Sequence, residues 1–224
     1  MKTPTKVTLI SIAVVAVLVV AGFIFTSASS PNVSNDPVAA AAIPDDGGLP
    51  GVAANSHVLD EVGPDAPTLV EYLDFECEAC GAFYPYIEEI RAEYQGKINY
   101  VVRYFPLPGH LNSMNAAVAV EAAAQQDRFE DMYGKLFETQ ADWGEQQTSQ
   151  APLFRTYAEE LGLDMAAFDA AVADPATEAR VTEDLDQGRA LGIQGTPTFF
   201  LDGQQLELTA LTDLTDALDR AIAQ

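Results

Sequence analysis

The 224-residue chain carries 34 acidic against 11 basic residues, a formal net charge of −23, and 48% hydrophobic residues. So large an acidic excess repels phosphate backbones and anionic headgroups, which argues against nucleic acid as a partner and favours neutral or cationic proteins. The length supports one sizeable core and little more, so one globular domain is expected.

Residues 7 to 25 contain no charge, and as a helix they extend about 28 Å, close to the thickness of a bilayer's hydrocarbon. Lys2 and Lys6 precede this run, whereas Asp36, Asp45 and Asp46 follow it. The positive-inside rule therefore puts the N-terminus in the cytoplasm and everything after Phe25 outside. Setting the two lysines aside as cytoplasmic takes the exported part from −23 to −25. A cleaved signal peptide is the competing reading, but Thr26-Ser27-Ala28 is a poor small-x-small site. An uncleaved anchor over 1–25 is expected. Residues 26–55, rich in Ser, Ala, Pro, Asn, Asp and Gly without apolar periodicity, read as a flexible linker ahead of a domain spanning 56–224.

Thr68 to Asp74 is a short apolar-rich stretch bounded by Pro64 and Pro67, suited to a buried strand. After Cys77 the period changes: Phe83, Ile87, Ile90 and Tyr94 recur at helical spacing, with Glu88, Glu89, Arg91 and Glu93 on the opposite face. Gly96 ends this helix, and 98–104 is a second strand, which makes a right-handed β-α-β unit. The chain then reads as helical over 112–126, 128–140, 152–161, 164–173 and 176–191, an all-helical insertion covering about 107–192. Strands at 198–201 and 205–208 flank a turn at Asp202-Gly203, and Leu211, Leu214, Leu218 and Ile222 mark a last amphipathic helix. The expected class is α/β.

Cys77 and Cys80 are the only cysteines, in Phe75-Glu76-Cys77-Glu78-Ala79-Cys80. Strand, Cys-x-x-Cys, then helix sets Cys77 at a helix N-terminus, where free N–H groups and the helix dipole stabilise a thiolate. Cys77 is thus the expected nucleophile and Cys80, one turn in, the resolving thiol. A purely structural disulfide across so short a loop restricts the unfolded chain little. Zinc would need two further ligands, and the two histidines, His57 and His110, form no ligand-spaced pattern, so no metal is expected. Trp143, Phe83, Tyr84 and Tyr86 either line a peptide groove or, more commonly for helical aromatics, fill core.

The segment 71–80, the excursion holding His110, 116–124 and 129–137, and Gly195-Thr196-Pro197 together resemble the DsbA-like thioredoxin-fold family over residues 57 to 224. The resemblance implies a thioredoxin-like fold with the helical insertion. It implies that Pro197 is a cis-proline facing the cysteines, that the Thr196 backbone aligns an incoming peptide, and that Glu71 is a buried acid exchanging protons with Cys80. It further implies thiol:disulfide exchange without a bound cofactor, acting as a monomer on exported polypeptides, with reoxidation by a membrane quinone-linked partner of the DsbB or vitamin K epoxide reductase type. Strongly oxidising members resemble one another in a histidine between the cysteines; this chain has Glu78-Ala79 instead. Glu76 and Glu78 are therefore expected to disfavour the Cys77 thiolate and make the disulfide more reducing. An oxidase is expected first, a reductase or isomerase, for instance in cytochrome c maturation, second, and a tethered binding or chaperone module third.

Overall fold

The computed structural model describes residues 48–223. The expected membrane anchor and residues 26–47 of the expected linker lie outside them. Among the described residues no helix is long and apolar enough to cross a membrane.

The sheet has five strands in the order β1-β3-β2-β4-β5. Its centre is β2 (Thr68–Leu73) and β3 (Asn99–Tyr104), both buried along their whole length, as expected of parallel strands covered on both faces. They pair in parallel from Thr68 opposite Asn99 to Leu73 opposite Tyr104, joined by α1 (Glu78–Glu93). Antiparallel to β2 runs β4 (Thr198–Leu201), and β5 (Gln204–Gln205) closes that edge across Asp202-Gly203, both at positive φ. The second hairpin strand is thus two residues long rather than the four expected over 205–208. On the other edge lies β1 (His57–Asp60), antiparallel to β3. The sequence reading missed it. Four residues, with a register break between Val58 and Asp60, are too few to show an alternation.

Between β3 and β4 the chain forms α2 (Ser113–Ala124), α3 (Phe129–Glu138), the single turn α4 (Gln140–Trp143), α5 (Ala151–Glu160), α6 (Met165–Ala173) and α7 (Pro175–Ala190); α8 (Thr212–Ile222) follows the sheet. Strand alternation sorts the core into two faces. Leu69, Leu73, Tyr100, Val102 and Tyr104 share a cluster with α1, α8 and the helical insertion, whereas Val70, Tyr72, Val101 and Phe105 pack with Leu185 of α7. The α7 contact is close: a Cβ at Gly188 would lie 2.7 Å from the Phe105 ring.

Residues 48–55, read from sequence as the end of the linker, rest on the second face. Arg103 donates to the Gly51 carbonyl at 2.8 Å, Arg180 donates to that of Asn55, and Val52 packs beside Val70 and Tyr72. Composition gave no sign of this, because backbone carbonyls of any sequence serve as acceptors.

Candidate active site

At the end of β2 the chain turns through Asp74, Phe75 and Glu76, and Cys77 is the residue before the first turn of α1, with φ −68° and ψ 120°. Its carbonyl accepts from the Gly81 N–H at 3.1 Å, so the helix starts beneath it, and the amides of residues 79 and 80 reach its sulfur. Cys77 is 7% exposed and Cys80 1%, both as free thiols. The Thr196–Pro197 peptide is cis and faces this turn, and Cys77 Sγ donates to the Thr196 carbonyl at 3.4 Å. Thr196 Oγ1 is buried without another partner, free to donate to a thiolate.

The two thiols are made unequal. Donation from Cys80 lowers Cys77 most; burial opposes it, and Thr196 with the amides of residues 80 and 79 adds to the lowering, which leaves a pKa of about 5. Burial pushes Cys80 well above the ordinary thiol range, and the neighbouring Cys77 and Glu71 charges push it further. The expectation that Glu76 and Glu78 lift the Cys77 thiol is therefore not met. Glu76 turns away into the core, where its carboxylate accepts from the Asn112 N–H at 2.6 Å and the Glu145 N–H at 3.2 Å. Charge held by N–H dipoles acts weakly on a sulfur that has its own donors.

Glu71 lies on β2 beneath the cysteines, 3% exposed, accepting a hydrogen bond from the Tyr100 hydroxyl. Burial raises its pKa to about 7; the Tyr100 donor opposes that, and the Glu88 charge adds to it. Its charge reaches Cys80. Near neutral pH it is thus part protonated, suited to passing a proton beside the resolving thiol.

The pairing of a helix-terminal Cys-x-x-Cys with a cis-proline strand is the geometry of disulfide exchange, and a thioredoxin family model matches residues 63–220. The chain belongs to the thioredoxin family. Its fold is that of the DsbA-like oxidoreductases. A thioredoxin-like oxidoreductase from Silicibacter pomeroyi aligns at 25% identity over 82% of this chain and 99% of its own, with a TM-score of 0.65. BdbD from Bacillus subtilis shares the fold at 22% identity, covering 79% and 97%, with a TM-score of 0.68. Wolbachia pipientis α-DsbA1 aligns at 23% identity, covering 77% and 93%, with a TM-score of 0.64. Among curated proteins, the Na(+)/H(+) antiporter NhaA 3 of Salinispora tropica is 39% identical over 146 residues, 64% of this chain. The chain spans about a fifth of the length of that relative, the aligned part being 21% of it.

Further residues of this thioredoxin site were invisible to sequence patterns. Gln140 of α4 donates to the carbonyls of Phe75 and Cys77 at 2.8 and 2.9 Å, tying the insertion to the turn. Asp74, fully enclosed, accepts from the N–H groups of Glu76 and Leu107 at 2.9 and 3.0 Å and meets His110 Nδ1 at 2.6 Å. The two histidines stay apart: His57 is held by Glu121 at 2.8 Å, His110 by Asp74. Glu78, His110 and Glu145 bring one possible metal-ligand atom each within 4.8 Å of one another, but two are exposed carboxylates. Such clusters are common on surfaces without an ion. Trp143 is fully buried edge-on to Phe154, 4.8 Å between centroids, so it is core rather than groove.

Proposed function

We propose that the protein is a membrane-tethered thiol:disulfide oxidoreductase acting outside the cytoplasmic membrane, introducing disulfides into exported polypeptides. The inequality of Cys77 and Cys80 carries this reading: a low-pKa thiol at the helix terminus is a good leaving group, and its buried neighbour is kept protonated. In the oxidised enzyme a substrate thiolate attacks Cys77 Sγ, the Cys77–Cys80 bond breaks, and Cys80 departs with the electron pair and takes up a proton, for which Glu71 is placed. A second substrate thiolate then attacks the substrate sulfur of the mixed disulfide, and Cys77 leaves as thiolate. Two substrate thiols are oxidised and the cysteine pair gains two electrons. The Thr196 backbone beside Pro197 aligns the substrate strand, as the resemblance implies.

Reoxidation falls to a membrane quinone-linked partner of the DsbB or vitamin K epoxide reductase type, and the protein works as a monomer. The charge-free run 7–25 behind Lys2 and Lys6 supports the tether. The curated relatives are membrane antiporters by name, which agrees with a membrane setting; no antiport is carried over from them. A Cys77 pKa of about 5 lies between the roughly 3.5 of strong DsbA oxidants and the roughly 7 of thioredoxin, so the disulfide is a milder oxidant than the histidine-bearing enzymes'. Acid trapping and alkylation of the protein in growing cells tests the direction of electron flow. An oxidase is recovered as the disulfide; recovery as the dithiol would make it a reductase.

A further inference from the structure

The Cys-x-x-Cys of this chain contains no basic residue, and the acidic Glu78 directly follows its first thiol. We propose that His110, on the loop after β3, is a positioning residue whose imidazolium offsets Glu78 and holds Cys77 as a thiolate, supplying from outside the motif the positive charge the motif lacks.

The geometry fixes the ring. Asp74 is buried, already accepts two backbone N–H groups, and meets His110 Nδ1 at 2.6 Å, so Nδ1 carries a hydrogen and Nε2 is turned outward. Nε2 lies 3.9 Å from Glu145 Oε1, and a carboxylate oxygen of Glu78, the residue after Cys77, falls within 4.8 Å of the His110 and Glu145 atoms. The ionisable groups around the ring are Asp74 and Glu76 from the turn after β2, Cys77 and Glu78 at the start of α1, and Glu145 from the loop after α4. All are neutral or negative, so a second proton on the ring is favoured. Partial burial opposes that charge, but the Asp74 bond and charge, followed by the charges of Cys77 and Glu76, raise the His110 pKa overall. With the imidazolium in place the exposed Glu78 carboxylate faces a countercharge, which weakens its repulsion of the Cys77 thiolate. A thiolate so favoured makes the dithiol more stable and the disulfide more oxidising.

The inference rests on Cys77 being the attacking thiol, and the tests separate the two. Coupling is reciprocal, so a thiolate that is stabilised by His110 must in turn stabilise the imidazolium. In the full-length protein His57 is the only other histidine and serves as reference during NMR titration of the imidazole resonances. The His110 midpoint is expected about half a pH unit higher in the dithiol than in the disulfide form, as for a partly exposed charge pair, with His57 unmoved. Equal midpoints for His110 in both forms would overturn the proposal. His110→Gln should raise the midpoint of Cys77 alkylation by about the same half unit, roughly threefold less thiolate at acidic pH, and His110→Lys should restore part of it. An unchanged alkylation profile in His110→Gln would also overturn it. If His110→Gln does not fold, the wild-type titration decides alone. A wild-type Cys77 that resists alkylation below pH 8 would instead refute its role as the attacking thiol.

Discussion

The two faces of the central sheet each bury a carboxylate, and they treat it in opposite ways. On the α7 face, Asp184 is inaccessible and fully partnered: it accepts from Arg103 at 2.6 Å, from Arg180 and from the Tyr104 N–H at 3.1 Å. On the α1 face, Glu71 is as deeply buried but has one hydroxyl partner and no cation, and its pKa rises to about 7. A carboxylate with a full set of donors braces the fold; one left short of them holds a proton near neutral pH and lends itself to chemistry. Burial alone does not distinguish the two. The partners do.

The most damaging change should therefore fall on the face without chemistry. Asp184→Ala leaves the inaccessible Arg103 guanidinium without its countercharge, and breaking such a pair costs about 3–5 kcal/mol. Urea unfolding should show that loss, while the Cys77 alkylation midpoint of the remaining folded protein stays put. A shift in that midpoint would mean that the two faces are not independent. Next in size is Glu71→Gln. Because the folded pKa of Glu71 stands above its unfolded value of about 4.5, the wild type loses stability as pH rises through 7, by roughly 2–3 kcal/mol between pH 5 and pH 8. The glutamine variant should lack this slope, and parallel slopes would contradict an uncompensated buried acid. Smaller again is the effect of Cys77. Its folded pKa is depressed from 9.0 to about 5, so the thiolate's stabilisation of the dithiol form is complete above pH 9, partial at pH 7 and lost as pH falls through 5. The stability of the dithiol minus that of the disulfide form should grow by about 1–2 kcal/mol from pH 5 to pH 7 after allowance for solvent screening. Melting of both forms at each pH measures it.

Elements defined by spacing along the chain were readable from sequence. Apolar residues at 83, 87, 90 and 94 marked α1, the two prolines bounded β2, and a strand followed by Cys-x-x-Cys placed a thiol at a helix terminus. What spacing cannot show is which distant donor a polar side chain finds. Glu76 and Glu78 look alike beside Cys77, yet one meets amides 36 and 69 residues away and the other faces solvent. Asp74 and His110 likewise meet only because β3 returns parallel to β2. The charge environment of the site is not legible from the sequence for that reason.

The least of the expected effects concerns how the helical insertion grips the turn. Gln140 Nε2 bonds to the carbonyls of Phe75 and Cys77, and its Oε1 lies where a Cβ on Gly81 would be, at 1.9 Å. Gly81 is inside α1, where glycine costs up to about 1 kcal/mol relative to alanine, and its backbone requires no positive φ. The glycine is therefore explained by Gln140 rather than by the helix. Gln140→Ala should cost about 1 kcal/mol for the lost bonds. Gly81→Ala should destabilise the wild type by driving Gln140 off those carbonyls, yet stabilise the Gln140→Ala background, where only the gain in helix propensity remains. A reversal of sign across this double-mutant cycle, followed by urea unfolding, is the signature of the contact. Equal costs in both backgrounds would show that the insertion does not hold the turn through Gln140.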